Sequence, residues 1–250
     1  QGEYPPASTY KVITSIAALE EKIVDIHTTV FCPGFFKYSG RPYRCWNKGG
    51  HGSIDVIEAL SQSCDVYFYQ MGDKIGVDTL AKYAIACGLN KATGIQLANE
   101  RSGLIPTSSW KKARFKEPWY HGETLSLAIG QGYNLVTPLQ MAVLTAAVAN
   151  GGTLYKPGIV SRIENSQGTI VSEIESEVTG ILSISNNNLE IIRKGLFKTV
   201  QGSRGTARKI RQKHVTIAGK TGTAQVFGVK PGDNLKTDKL DFHLRDHAWF

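Results

Sequence analysis

Three short runs of side chains have the makings of one acyl-transfer site. Ser8-Thr9-Tyr10-Lys11 sets a hydroxyl and an amine one helical turn apart. Ser63-Cys64-Asp65 sets a hydroxyl and a carboxylate two positions apart. Lys220-Thr221-Gly222-Thr223 combines a cation, two hydroxyls and a residue with no side chain. A serine hydroxyl is a weak nucleophile at neutral pH until a base takes its proton. Lys11 is the local base, provided burial or a nearby cation lowers its pKa. Lys220 supplies that cation where the fold brings it close. Ser63 is placed to pass a proton toward a leaving group, and Asp65 to orient Lys11 or a substrate amide. The Lys220 run suits a carboxylate clamp, with Gly222 letting a substrate backbone approach. Taken singly, a helix start, a helix cap and a Thr-rich strand explain the three runs equally well. Their co-occurrence in this order is what carries weight.

A second set of side chains lies between the first two runs. Cys32, Cys45, His51 and Cys64 offer three thiolates and an imidazole, the closed tetrahedral donor set of structural zinc. The spacing is not that of a zinc finger. A disulfide between two of the cysteines, or buried free thiols, remain open alternatives. The fourth cysteine, Cys87, reads as core. His27, His121, His214, His243 and His247 read as loop or surface residues.

The elements that must position these groups follow from periodicity and punctuation. Pro5-Pro6 stops any earlier helix, and Val12, Ile16 and Leu19 then recur at helical spacing, so a helix starts near Ser8 with the hydroxyl at its N-terminus. Helical patterns resume at Ile54–Leu60, Val66–Ile75 and Thr79–Cys87, the last stopped by Gly88. Thr137-Pro138 is an N-cap followed by Pro at the first helical position. Leu139–Val148 follows, with Asn150-Gly151-Gly152 as the stop. Residues 28–52 and 99–122 read as loop. Gly158–Ile163 and Thr169–Ile174 read as strands around a Ser166-Gln167-Gly168 turn. Leu189–Val200 is a helix behind Asn186-Asn187-Asn188, and Val215–Phe227 is a strand carrying the Lys220 run.

The 250 residues suffice for one large domain, and 41% hydrophobic with 20% charged residues is ordinary globular composition. No apolar run approaches the roughly 18 residues of a membrane span. The start at Gln1 without a leader and the stop at Ala248-Trp249-Phe250, read as a strand beginning, suggest a domain cut at both ends. A net charge of +8 favours anionic partners. Nucleic acid is not among them: the one dense basic run, Arg204 to Lys213, has no interleaved aromatics.

The ordered triple is the signature of penicillin-binding proteins and class A β-lactamases. The chain resembles the transpeptidase domain of a class B penicillin-binding protein, of the elongation-type penicillin-binding protein 2 group. Pro5-Pro6-Ala7-Ser8-Thr9-Tyr10-Lys11 is similar to that group's nucleophile segment, with Ala7 where Gly is usual. Gly130-Gln131-Gly132, Thr137 to Ala142, Ala149 to Gly152 and Gly219 to Val226 are also similar. The resemblance implies an α/β fold, an antiparallel sheet flanked by helices with an all-helical subregion, covering 1–250. It implies DD-transpeptidation of peptidoglycan stem peptides through a Ser8 acyl-enzyme, with β-lactams as inhibitors. In the implied roles Lys11 is the base and Ser63 the relay. Lys220, Thr221 and Thr223 hold the terminal carboxylate around Gly222, and the backbone N–H groups of Ser8 and Thr223 form the oxyanion hole. Asp65 stands where many relatives carry Asn. Some of the group are similar in carrying a zinc held by acidic, His and Cys ligands, and Cys32 and Cys45 stand at the acidic positions, a softer set suited to zinc. The resemblance further implies a membrane-embedded glycan polymerase and elongation machinery as partners, and a place outside the inner membrane, anchored by a segment not in this chain. Two alternatives share the triple: a carboxypeptidase or β-lactamase, which needs a deacylating carboxylate such as Glu100, Glu117 or Glu123, and a penicillin-sensing domain.

Overall fold

The computed structural model describes residues 2–225, 241 and 245–250. Its centre is helix α1 (Lys11–Glu20), entered through a 3-10 turn at Ala7–Tyr10. Val12, Ile13, Ile16, Ala17 and Leu19 are buried, and so are Lys11, Thr14 and Ser15. A helix buried all round belongs to the middle of a core rather than to a surface. Ile13 and Ile16 each remove a full side chain from water, worth roughly 2–3 kcal/mol apiece.

Four helices surround α1. Helix α2 (Val56–Ser61) starts where the Asp55 carboxylate accepts from the Glu58 N–H, so it begins two residues later than its apolar pattern. Helix α3 (Asp65–Ile75) and α4 (Val77–Ala86) follow almost without a break, and α8 (Asn186–Gln201) closes the group. The cap of α8 is Ser185, not the asparagine cluster. Helix α8 crosses α2 closely at Gly195, where an added Cβ would stand 2.8 Å from the Leu60 side chain. Any larger residue there would push away the segment that leads into Ser63. Helix α7 (Pro138–Asn150) has the expected Thr137 cap, reinforced by Gln140 reaching back to the Thr137 N–H.

Residues 28–52 are not loop. They hold β1 (Val30–Cys32), which pairs with β4 (Gly52–Ile54), and the hairpin β2 (Phe35–Tyr38) with β3 (Arg41–Arg44). These strands are three or four residues long, too short to show an alternation, and they gain their order by packing on α3. The 99–122 stretch likewise contains α5 (Ser108–Phe115) and the start of α6 (His121–Ala128).

Among the described residues the strands pair as two-stranded antiparallel ribbons. β5 (Thr153–Tyr155) pairs with β8 (Val178–Ile181), and beyond them β6 (Arg162–Glu164) pairs with β7 (Ile170–Glu173) around the Gly168 turn. Residues 158–179 of this arm are exposed throughout. The clamp segment forms β9 (Gly222–Ala224), antiparallel to β10 (His247–Trp249), with Gly222 opposite Trp249. The strand is thus shorter than the sequence pattern, and Lys220 and Thr221 lead into it. The expected continuation through Val226 and Phe227 lies outside the described residues, as does His243.

Candidate functional site

Ser8 sits in the 3-10 turn, half-buried, directly after Ala7. Ala7 has φ of 50°, in the left-handed region that glycine occupies freely and alanine only at a cost of about 1 kcal/mol. The backbone explains why it stays there. The Ala7 N–H donates to Gly130 O at 2.9 Å, and Gly130 itself has φ of 76° with no room for a side chain. A Cβ on Gly130 would stand 2.0 Å from Ala7 O. The Gly130-Gln131-Gly132 turn therefore fixes the backbone that carries Ser8.

Lys11 is wholly buried one turn further on. Its Nζ is within hydrogen-bond distance of three groups on the Ser63 turn: Ser63 O at 3.0 Å, Ser63 Oγ at 3.2 Å and Asp65 Oδ1 at 2.6 Å. The first two sequence runs are thus joined side chain to side chain. Ser63 has φ of 54°, a left-handed turn between α2 and α3 that aims its hydroxyl back at Lys11. Asp65 is the first residue of α3, and its carboxylate ends at the helix N-terminus, where the dipole favours negative charge.

Lys220 lies against the same group, 5% exposed. Burial, then the positive charge of Lys11, holds its ammonium well below the ordinary lysine range, while Asp65 pulls the other way. The sequence reading gave Lys220 the part of a fixed cation acting on Lys11. In the structure Lys220 is itself buried, and its Nζ donates only to Thr221 O at 3.0 Å, with no carboxylate partner among the described residues. Thr221 Oγ1 bonds Thr206 Oγ1 at 2.7 Å, and Gln131 donates to Thr223 O at 3.3 Å. Gln131 therefore ties the turn that supports Ser8 to β9.

Ser8, Ser63, Asp65, Thr221, Gly222 and Thr223 all line one cleft of about 700 Å³. Lys11 and Lys220 are buried and are not among its lining residues. Trp46, Arg44, Gln131 and Thr206 line it too. The sequence offered a hint only for Gln131, through its flanking glycines. Among the described residues the cleft's carboxylates are Asp65 and Asp246. Glu100 is bound by Thr93 and Gly94, and Glu123 by Lys111, neither of them in the cleft wall. An apolar cavity of about 550 Å³ lies behind the clamp, between α1, α7, α8 and β10.

Beside the cleft, the ligand atoms of Cys32, Cys45, His51 and Cys64 all stand within 4.8 Å of one another. Strand β1 ends on Cys32, the residue after β3 is Cys45, and Cys64 caps α3 by accepting from the Tyr67 N–H. His51 Nδ1 is 3.5 Å from the Cys32 sulfur and 3.6 Å from that of Cys45. All four cysteines of the chain are free, so no disulfide joins them. A hydrogen bond from Cys64 pulls the Cys45 thiol well below its usual value against its burial, and His51 adds to the pull. Cys64 is pushed up correspondingly. The donor set fits a tetrahedral thiolate-rich metal, whose ligand atoms sit about 2.0–2.3 Å from a common centre. Cys87 is apart from the cluster, and burial pushes its thiol up to about 12, as a core residue requires.

The whole chain, residues 1–250, matches the penicillin binding protein transpeptidase domain family. It is 38% identical to the peptidoglycan D,D-transpeptidase MrdA of Haemophilus influenzae over 255 residues, covering 100% of this chain and 39% of that protein. It spans, then, about two fifths of that relative's length. It is similar to the penicillin-binding protein PBP2 of Helicobacter pylori, solved in complex with MreC (TM-score 0.83, 32% identity, 99% of this chain and 42% of the other). A third likeness is to a chain solved under the heading of structural coordination of polymerization and crosslinking by a peptidoglycan synthase complex. There the TM-score is 0.76 and the identity 39%, over 92% of this chain and 37% of the other.

Proposed function

The chain belongs to the penicillin-binding protein transpeptidase family, and from that premise we propose that it is the acyl-transferring part of a larger peptidoglycan DD-transpeptidase. Ser8 attacks the carbonyl of a D-Ala-D-Ala stem while Lys11 takes its proton. Ser63 passes that proton to the amine of the departing D-Ala. Asp65 holds Lys11, and Lys220, Thr221 and Thr223 receive the terminal carboxylate. Backbone N–H groups of Ser8 and Thr223 meet the oxyanion, each worth about 3–4 kcal/mol by analogy with other oxyanion holes. The observation that supports this most is the three-way bonding of Lys11 to Ser63 and Asp65 with Lys220 beside them. A hydrolase that uses a glutamate to activate water finds none in this cleft wall among the described residues. The test is a mass spectrum of the protein after incubation with a penicillin, followed by peptide mapping. One stable adduct on Ser8, absent from Ser8→Ala, is expected. An adduct elsewhere, or rapid release of hydrolysed drug, would refute the assignment.

A buried lysine without a counter-charge makes carboxylate binding pH-dependent. Between its lowered pKa and the ordinary value near 10.4, free Lys220 is neutral. A ligand carboxylate beside it favours the ammonium, so binding in that window takes up a proton and weakens as pH rises. Below the lowered pKa Lys220 is charged before and after, and no proton moves. Calorimetry of a carboxylate-bearing ligand in two buffers of different ionisation enthalpy measures this. Buffer-dependent heats at mildly alkaline pH are expected, and their loss in Lys220→Arg, which stays charged throughout. Identical heats in both buffers across the alkaline range would contradict the clamp.

Cys32, Cys45, His51 and Cys64 are the residues that would hold a zinc ion, whose contribution there is structural, pinning the turn that carries Ser63 and Asp65 on either side of Cys64. In the complete protein this chain would work on the outer side of the inner membrane, tethered by a segment beyond it. No helix of the described residues is long and apolar enough to cross a membrane. The likeness to chains solved with MreC and within a peptidoglycan synthase complex supports elongation-complex partners, including a membrane-embedded glycan polymerase.

A further inference from the structure

Trp46 belongs to none of the three motifs, yet it binds the same turn that Lys11 binds. The residue is 59% exposed in the cleft wall, while both of its N–H groups are bonded to the protein. The backbone N–H donates to Asp65 Oδ2 at 2.9 Å. The indole Nε1 donates to Gln62 O and Ser63 O, each at 3.0 Å. Lys11 bonds the other carboxylate oxygen of Asp65 and the same Ser63 carbonyl. Gln62 is the C-cap of α2, and carbonyls at a helix end have no partner within the helix. The shared indole N–H therefore closes the end of α2 and holds the peptide on which the left-handed Ser63 turn depends. A non-glycine residue at φ of 54° persists only where its surroundings over-determine it. Trp46 is also the residue after Cys45, and its ring meets His51 edge-on at 5.5 Å. The cysteine–histidine cluster thus fixes where the indole stands.

We infer that Trp46 is a positioning residue for proton relay: it holds the Gln62–Ser63 turn and Asp65 in the register at which the Ser63 hydroxyl hands its proton to the leaving group. The inference rests on the acyl-transfer reading above. In the step concerned, the Ser8 proton taken by Lys11 replaces the proton that Ser63 gives to the leaving amine. Nothing is gained or lost overall as the C–N bond breaks. A misaligned Ser63 slows that step in proportion to how much the leaving group needs the proton. An amine must be protonated to leave, whereas a thiolate of low basicity leaves without help.

The experiment compares two acyl donors in the full-length protein under single-turnover conditions, a D-Ala-D-Ala peptide and its thioester counterpart. Trp46→Phe keeps an aromatic ring and removes the N–H. Loss of one hydrogen bond that orients a reacting group corresponds to about a tenfold effect. Acylation by the peptide is expected to fall about tenfold or more, and acylation by the thioester less than about threefold. Benzothienylalanine at position 46, a ring of the same shape with sulfur in place of N–H, should reproduce that split even if the phenylalanine variant folds poorly. Equal falls for both donors would show a general disturbance of the cleft and overturn the inference. So would unchanged rates for both. Wild-type protein that forms no Ser8 adduct with either donor would fail the acyl-transfer reading itself, an outcome distinct from the other two.

Discussion

Replacing Lys11 with alanine should slow acylation of Ser8 at least about a thousandfold, because it removes the group that takes the serine proton, and general base catalysis is worth 10²–10⁴. The companion change sharpens the result. Lys11 is wholly buried and Asp65 nearly so, with side-chain exposures of 0% and 12%. Asp65→Ala leaves the lysine ammonium in the core with no opposite charge. Breaking a buried pair from one side costs about 3–5 kcal/mol, or about 6–20 °C in melting temperature for a domain of this size. Lys11→Ala leaves a carboxylate that still accepts from the Trp46 N–H and has some access to water, so its cost in stability is the smaller. Asp65→Asn keeps an acceptor and should fall between. Melting curves for the three variants, beside their rates of penicillin acylation, check both halves. Comparable melting losses for Lys11→Ala and Asp65→Ala would show that the pair is not the buried unit described above. Acylation of Lys11→Ala within tenfold of wild type would remove Lys11 from the role of base.

Protein purified without chelator should carry one zinc per chain, and Cys45→Ser should carry little. Three thiols, an imidazole and no disulfide leave a cluster that needs a cation to hold it, and the Cys45 thiol is already drawn toward the thiolate a metal requires. Strands β1 to β4 are only three or four residues long, and although Val30 and Ile54 are buried, Phe31 and Phe35 are exposed. A bound metal would therefore carry much of their stability. Stripping it should lower the melting temperature by about 10 °C or more, on the order of a ligand that adds 4 kcal/mol. Because ligands must be deprotonated, zinc should be lost in acid. Elemental analysis and melting before and after chelation measure this. Stoichiometric zinc in Cys45→Ser, or identical melting with and without chelator, would show that the ligand set is wrong.

Much of this arrangement was legible in the sequence, and the parts that were not share a cause. Helices α1, α3, α4 and α7 declare themselves by apolar spacing and by stops such as Thr137-Pro138 and Gly88. The cysteine–histidine set was legible as chemistry before any geometry. The strands around it were not, because Val30–Cys32 and Gly52–Ile54 find their order in each other and in α3, not in a local alternation. Helix α5 was hidden in the same way. Of its eight residues only Lys111 is buried, and that lysine is held by Glu123 from α6. The two departures at the site also depend on distant groups. The sequence names Lys220 as a cation; only burial against Lys11 shows that its charge is conditional. Nothing near Trp46 in the chain announces that its N–H will end on carbonyls 16 and 17 positions away.

Ser8 is near one end of this sequence and Gly222 near the other, and the segments that carry them meet directly. Strand β9 is laid against the 3-10 turn at Ala7–Tyr10, so closely that a Cβ on Gly222 would touch the Thr9 methyl at 3.3 Å. Synthesis delivers them in that order. While the chain is being made, Ser8 is an ordinary alcohol on an unfinished core. On the proposed mechanism its reactivity would appear only once the stretch containing β9 has emerged and found its place, a long-range closure of the kind that comes late in folding. Acylation is in this sense a completion signal. On the acyl-transfer reading, a β-lactam should label Ser8 only in a chain whose β9 has reached the 3-10 turn.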